Sequence, residues 1–391
     1  MELFKAEKQW ASRPADERFW NLEEMKTECL EYARNSVSSR VRFGDLRVEA
    51  KDGEMLLMGK ESTPARVSHY SLGQLAGRIK APADYIRRLP ATLAAQNLNH
   101  GLAHQRDPGD TAKILLHKSN GLLLRCFTSD RYQRIWNYEI AQRLIRLQDQ
   151  GWRTAPARPV GIENERTRIA TQEDCARGGK LGLLSVRPGD TIAPAGLYAS
   201  DRDMFVFLIN DDVRLNNPAD PNTPLARGFF IWNSEVGDKS FGIMTFLYDA
   251  VCGNHIVWGA QDVSEFRIIH TGRARSKAFG RLSVQLRQYA HSSVSDDEAK
   301  IAASQTVEIA GSKADVISAV LKFASKKRLL SINKSVVEES YTIAEQNPRY
   351  GNPNTPWAMA QGMTVISQRA EHASSRVRLD KAAGNIIEMA F

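Results

Sequence analysis

Ala112-Lys113-Ile114-Leu115-Leu116-His117-Lys118-Ser119-Asn120-Gly121-Leu122-Leu123-Leu124-Arg125-Cys126-Phe127 is the stretch on which the fold turns. Two apolar runs, Ala112 to His117 and Leu122 to Phe127, flank Lys118-Ser119-Asn120-Gly121. Asn-Gly tolerates positive φ at both central turn positions, which predicts a tight antiparallel hairpin. Downstream, Phe205 to Ile209, Phe229 to Trp232, Phe241 to Tyr248, His255 to Trp258 and Phe266 to His270 read as further strands. Asn216-Asn217-Pro218, Gly237-Asp238-Lys239 and Cys252-Gly253-Asn254 separate them as turns. No strand-helix alternation and no glycine-rich strand-to-helix loop accompanies these runs, which argues against a dinucleotide or phosphate-loop fold. The expected class is α+β, with antiparallel sheets and hairpins, flanking helices and a helical C-terminal region.

Upstream of the hairpin, residues 1 to about 35 read as polar helix with Trp10, Phe19, Trp20 and Leu22 as apolar anchors. Val41 to Val48 and Met55 to Met58 are extended runs around the turn Lys51-Asp52-Gly53. Ser71 is placed to cap a helix carrying Leu72, Leu75, Ala76 and Ile79 on one face. Pro82 opens a second helix that carries Tyr85, Ile86 and Leu89 inward, and Pro90 closes it. With Arg78, Lys80, Arg87 and Arg88 this pair reads either as a helix-turn-helix or as a packed helical hairpin with solvated charges. Beyond the hairpin, Ile140, Leu144 and Leu147 share a helical stripe. Residues 152–196 are rich in Arg, Gly and Pro and weakly periodic, as in a loop-rich connection. In the last third, Val316, Ile317, Val320, Leu321 and Ala324 make a stripe with Asp315 near its start and Lys326, Lys327 and Arg328 near its end. That polarity complements the helix dipole. A loop from Asn347 to Pro356 then leads to a last helix, Trp357 to Arg369. The division that follows is 1–150, 151–200, 201–280 and 281–391, with 40–280 able to form one unit with the C-terminal helices.

Chain length, 391 residues, allows two or three domains, and 42% hydrophobic with 25% charged residues is a globular composition. No run approaches a membrane span. The start, Met1-Glu2-Leu3-Phe4-Lys5-Ala6-Glu7, is charged with no apolar core behind it, and the expected setting is cytoplasmic. Cys29, Cys126, Cys175 and Cys252 are far apart and read as reduced, buried side chains. The net charge of +8 and a pI near 9.3 favour polyanionic partners.

Several segments carry a resemblance. Ser119-Asn120-Gly121 followed by Thr128-Ser129-Asp130-Arg131-Tyr132, then Ile231-Trp232-Asn233-Ser234-Glu235-Val236-Gly237, then Cys252-Gly253-Asn254-His255, and finally Asn354-Thr355-Pro356-Trp357 with Thr364 occur in that order. With Leu75 to Leu89 around Pro82, they resemble the phage/plasmid-like proteins that carry a domain of unknown function numbered nine-three-two. The resemblance covers roughly residues 40–375. It implies a mobile-element origin and a cytoplasmic setting, and it brings no catalytic residues with it. Asn120-Gly121, Asn233, Ser234 and Gly237 equally suit turns and backbone bonding.

The strongest sign of a partner lies between Phe266 and Ser295. Arg267, Arg273, Arg275, Lys277, Arg281 and Arg287 fall there with no acidic residue, and Phe279 and Tyr289 are interleaved. Arginines suit phosphates, and an exposed ring offers an unpaired base a stacking surface. Six cations on a single strand would give a log–log salt slope on the order of −4. The alternative is a solvated helix face with Leu282, Leu286 and Tyr289 packed beneath it. A second cluster, Lys322, Lys326, Lys327, Arg328 and Lys334, suits a helix end, and Arg153, Arg158, Arg166, Arg168 and Arg177 are interrupted by Glu163, Glu165, Glu173 and Asp174.

For catalysis, Glu235, Asp249, His255 and His270 could gather at a strand edge around a divalent metal, although no fixed ligand spacing supports it. Cys252 with His255 is a nucleophile pair on paper only. Asp130-Arg131 and Tyr132 read as an ion pair and a packing ring. The expectation is therefore a nucleic-acid-binding protein, DNA above all, with single-strand binding or annealing in replication or recombination as its sharpest form. No cofactor, metal, catalytic residue or membrane is assigned, and a homo-oligomer would fit the role. The other two readings are a metal-dependent nuclease or hydrolase, and an interaction module whose basic face meets a host defence protein.

Overall fold

The computed structural model describes residue 10 and residues 13–60, 63–104, 107–160, 166–180, 186–217, 224–249, 254–257 and 266–391. The fold is α+β. It begins with α1 (Leu22–Arg34), whose N-cap Asn21 accepts the Glu24 N–H, and continues through β1 (Ser36–Arg42), β2 (Arg47–Lys51), β3 (Glu54–Met58), β4 (Ala65–Val67), α2 (His69–Arg78), α3 (Ala83–Arg88), α4 (Ala91–His104), β5 (Thr111–Ser119), β6 (Gly121–Ser129) and α5 (Asn137–Ile145). The six strands form one sheet in the order β1-β5-β6-β4-β3-β2, antiparallel throughout except for β4 beside β6. Val48, Leu57, Val67, Ile114, Leu124 and Phe127 turn one face toward Leu72, Leu75, Ile79, Ile86 and Leu98 of α2, α3 and α4.

The β5–β6 hairpin turns at Asn120 as expected, but only Gly121 takes positive φ, +93°. The β2–β3 turn is the one that uses two positive-φ residues, Asp52 at +53° and Gly53 at +79°. Between β1 and β2 the expected run from Val41 to Val48 is broken by a 3₁₀ turn at Phe43–Asp45. Helix α2 starts one turn earlier than expected, because the Ser68 side chain rather than that of Ser71 accepts the capping N–H. Tyr85, expected inward, is 56% exposed, while Ile86 is buried.

Register along the hairpin carries one irregularity. Leu115 pairs with Cys126 and Leu116 with Leu124, so Arg125 is an extra residue without a partner on β5. Leu124 and Phe127 both face the helical core although three positions apart. Strict alternation forbids that, and a bulge at Arg125 permits it.

The second half continues with β7 (Trp152–Thr154), β8 (Arg158–Pro159), β9 (Arg168–Ile169), α6 (Gln172–Lys180), β10 (Thr191–Ala193), β11 (Leu197–Ala199), β12 (Met204–Leu215), β13 (Leu225–Asn233), β14 (Phe241–Asp249), β15 (Asn254–Val257) and β16 (Phe266–Ile268). The segment read as a loop-rich connection thus holds regular structure, a small sheet β8-β10-β9 and a helix. The large antiparallel sheet runs β11-β12-β13-β14-β15, with β7 also on β12 and β16 also on β14. Phe229-Phe230-Ile231-Trp232 is apolar without alternation because both faces of β13 are covered. Phe229 and Ile231 enter one core, Phe230 and Trp232 the other, where Trp10 and Ile192 meet them.

The chain ends in α7 (Ala274–His291), α8 (Ser295–Thr306), α9 (Lys313–Lys326), α10 (Lys334–Gln346), α11 (Pro356–Gln368) and α12 (Ala373–Ile387). These helices bury Leu282, Leu286, Val320, Trp357, Met363 and Ile386 in the same core as Val206, Leu208, Ile231 and Ile243 of the large sheet. Helix α9 has the expected stripe and a Ser312 cap, and Thr355 and Pro356 open α11. Helix α12 follows beyond the helix read as the last. Gly362 lets α11 close on α10, where an added Cβ would collide with the Ser340 carbonyl oxygen. Among the described residues no helix is long and apolar enough to cross a membrane.

Candidate functional site

The six-stranded and large sheets meet at the loop after β13. Ser234 ties that loop on itself, its hydroxyl accepting from the Val236 and Asp238 N–H groups and donating to the Arg202 carbonyl at 2.6 Å. Gly237, at φ +87°, lets the loop turn against Thr128, Gln74 and Tyr132, whose nearest atoms lie 3.3–3.5 Å from where a Cβ would stand. Gln74 on α2 donates to the Val236 carbonyl and accepts from the Phe127 N–H, each at 2.8 Å, and so bridges the two sheets. The Tyr132 hydroxyl donates to the Ser234 carbonyl at 2.8 Å. Asn233 donates to the Ile135 carbonyl and to the Asn137 side chain.

Beneath this junction lies a buried ion pair. Both terminal nitrogens of Arg125 reach one Glu235 oxygen at 3.2 Å, and the other oxygen accepts the Asn137 N–H at 2.9 Å at the start of α5. The two side chains are 2% and 3% exposed. Glu235, placed among the metal-ligand candidates by sequence, is therefore committed to structure. His270 lies elsewhere, stacked on Tyr132 at 5.0 Å and 14°. Cys252 and the side chains of Asp249 and His255 lie outside the described residues. Among the described residues no group of three or more His, Cys, Asp or Glu side chains is placed to hold a metal.

Above the ion pair, a cleft of about 600 Å³ opens between the sheets, lined by Gln74, Arg78, Thr128, Ser129, Tyr132, Gly237 to Ser240 and Ile269 to Thr271. Its wall is laced by the Gln133 N–H donating to the His270 carbonyl at 2.7 Å and by a bridge between Tyr132 and Thr271. Burial drives the His270 imidazole down to about 4, outweighing the Gln133 carbonyl that favours the charged ring, while Arg134 adds to the fall. Burial also drives the Tyr132 hydroxyl well above the usual phenol range. The unfolded histidine titrates near 6.5, so between pH 6.5 and 4 the unfolded chain holds a proton the folded chain lacks, and stability falls as pH falls. From pH 6.5 to 5 this group alone costs about 2 kcal/mol. Urea unfolding at pH 7 and pH 5 checks it: His270→Gln flattens the difference by that amount, and an unchanged difference would refute the assignment.

Thr271 leads directly into α7 through Gly272, at φ +58°, and the N-cap Arg273. Ala274, Ala278, Leu282, Leu286 and Tyr289 are buried beneath the helix, as the solvated-face reading requires. Arg273, Lys277, Arg281 and Arg287 are exposed on its outer side, and none of them is ion-paired among the described residues. Two sequence expectations need correction. Phe279 is only 6% exposed, with the Arg143 guanidinium 3.9 Å above its ring, so it offers no stacking surface. Arg275 turns back to bridge Glu139 on α5. Arg267 is on β16, within the run read as a strand, with its guanidinium 5.6 Å from the Trp232 ring centre. The loop arginines Arg166 and Arg168 pair with Glu24 and Asp174, and Lys327 pairs with Glu388 at 2.8 Å.

The first turn of α7 holds no acid and no side-chain cap, yet carries Arg275 and Lys277. Cations at a helix N-terminus oppose the dipole, each costing roughly 0.3–1 kcal/mol. The helix keeps this unfavourable arrangement beside the mouth of the cleft. The cations are visible in the sequence and the cleft is not, because its walls come from four separated segments. Thr128 to Tyr132 and Ser234 to Gly237 were singled out as motifs, and the structure brings those two together. Comparison of the chain with family models, with curated proteins and with solved structures finds no match in any of the three.

Proposed function

We propose that this chain is a nucleic-acid-binding protein that engages phosphates along the outer face of α7. The observation that carries the reading is the acid-free face of Arg273, Lys277, Arg281 and Arg287, exposed and without ion pairs among the described residues. A helix that needed cations only for solubility would gain from interspersed acids and from placing cations near its C-terminus. A spaced row of guanidinium and ammonium groups suits a phosphate backbone and its counterion release. The motif resemblance adds the setting: DNA of a phage or plasmid, met in the cytoplasm, with single-strand binding or annealing as the sharpest role and a homo-oligomer as its companion.

The test is a salt titration of labelled single- and double-stranded oligonucleotides, with and without magnesium or manganese. Four phosphate contacts on a single strand predict a log–log slope of about −3. Arg273→Ala/Lys277→Ala/Arg281→Ala lowers affinity at least about tenfold and brings the slope to about −1. No binding at low salt by the wild-type protein sinks the reading, and metal-dependent shortening of the label favours a nuclease.

A further inference from the structure

We infer that the cleft between the two sheets takes one unstacked nucleobase of a single strand whose phosphates run along α7, an inference that rests on the nucleic-acid reading above. Its volume, about 600 Å³, falls in the range of small-molecule sites. Position ties it to the helix: Ile269, His270 and Thr271 line the cleft, and Arg273, the first cation of the α7 face, is two residues beyond Thr271. A strand held by that face therefore passes the mouth. There Ile269, 75% exposed, gives an apolar ledge of the kind a base covers on entering.

The polar groups inside discriminate between a base and a phosphate. The His270 ring is 3% exposed, and its Nδ1 lies 3.1 Å from the Gln133 carbonyl oxygen, which requires the proton on that nitrogen. Nε2 is then a lone-pair acceptor, and it has no hydrogen-bond partner among the described residues. The depressed basicity of the ring keeps it neutral at physiological pH. Asp238, paired with Lys239 at 3.5 Å, adds a carboxylate to the lining, and Ser129 and Ser240 add hydroxyls that donate or accept. Arg78 and Lys239 line the same cleft, so its groups include donors as well as acceptors; phosphate oxygens only accept and would leave the acceptor nitrogen and the carboxylate unanswered. A base edge presents N–H donors beside carbonyl acceptors and matches the set; thymine, with one imino N–H between two carbonyls, is the simplest probe. The division of labour is then phosphates outside on α7 and a base within.

The experiment compares oligothymidine with an abasic oligomer of the same length and charge, on the wild-type protein and on Ser240→Trp, which fills the cleft from the large-sheet side. Ser129→Trp, at the end of β6 on the opposite wall, serves if the first variant fails to fold. The wild type is expected to bind oligothymidine roughly tenfold more tightly than the abasic oligomer, in the range of one stacked base, and the Trp variant to bind both at the abasic level. Equal affinity of the wild type for both oligomers overturns the cleft assignment while leaving the α7 reading intact. Discrimination that persists in the filled cleft also overturns it, since the base is then read elsewhere. Failure of the wild type to bind either oligomer at low salt removes the nucleic-acid reading itself.

Discussion

Arg125→Met is expected to lower the free energy of unfolding by about 3–5 kcal/mol, the range for stranding one member of a buried ion pair. The arginine is the bulged residue of β6, and the extra residue is what turns its side chain off the strand alternation toward the large sheet. There it meets Glu235, donates to the Asp201 carbonyl at 2.9 Å and to the Ser36 hydroxyl at 3.3 Å, and lies with its guanidinium 4.3 Å from the Tyr32 ring centre. Methionine fills most of the space but satisfies none of these acceptors. Glu235, 3% exposed, is left with the Asn137 N–H alone. The paired variant Arg125→Met/Glu235→Leu is expected to recover part of the loss, because the uncompensated charge is gone. It does not recover all of it, because the Asn137 N–H then loses its acceptor at the start of α5. A coupling of about 1–3 kcal/mol between the two sites in denaturant unfolding is the checkable quantity. A single-variant loss below about 1 kcal/mol would mean that the junction is held by its other bonds.

Arg125 also shows where sequence stops informing structure. The hairpin was legible because Asn120-Gly121 separates two apolar runs of equal length. The bulge inside it was not, because Leu122-Leu123-Leu124 is apolar at every position and a one-residue slip leaves no trace in such a run. Phe229 to Trp232 was legible as a strand, and the absence of alternation was itself the sign of burial on both faces. The capping residue of α2 was missed by one turn because Ser68 and Ser71 are both capable caps and only the packing of Leu72 and Leu75 chooses between them. The burial of Phe279 is encoded only in its helical phase, not in its cationic neighbours. Three and seven residues on are Leu282 and Leu286, and the three side chains share the buried side of α7. The cations themselves were visible as a gap in acidic residues, whereas the cleft has no local signature: α2, the end of β6, the loop after β13 and the lead into α7 contribute to it, and only the closing of two sheets brings them together.

A second large effect is expected at Arg227, where substitution tests how α7 is held in place. The side chain rises from β13, is 3% exposed, and grips Asp297 in the first turn of α8 at 2.9 and 2.7 Å. The same guanidinium donates to the carbonyls of Tyr289, Ser292 and Ser293, at 3.3, 2.9 and 2.6 Å. It thereby satisfies acceptors at the C-terminal end of α7, where the dipole favours a cation, and fixes the corner into α8. Arg227→Ala takes the buried guanidinium from Asp297 and leaves those carbonyls without their donor, a loss of about 3–5 kcal/mol. Arg227→Lys is expected to recover little, because one ammonium cannot reproduce a planar fork that serves a carboxylate and three carbonyls at once. Hydrogen exchange separates this account from general destabilisation. Protection should fall first in the last turn of α7 and the first turn of α8, while the β5–β6 hairpin keeps its own. The consequence for binding is directional. Arg287 is at the anchored end of α7 and Arg273 at the cleft, so loosening the corner weakens the contact made through Arg287 before that made through Arg273. At temperatures where Arg227→Lys remains folded, its salt slope should therefore fall by about one phosphate contact, roughly 0.7 in log–log units, and an unchanged slope would place Arg287 outside the binding face.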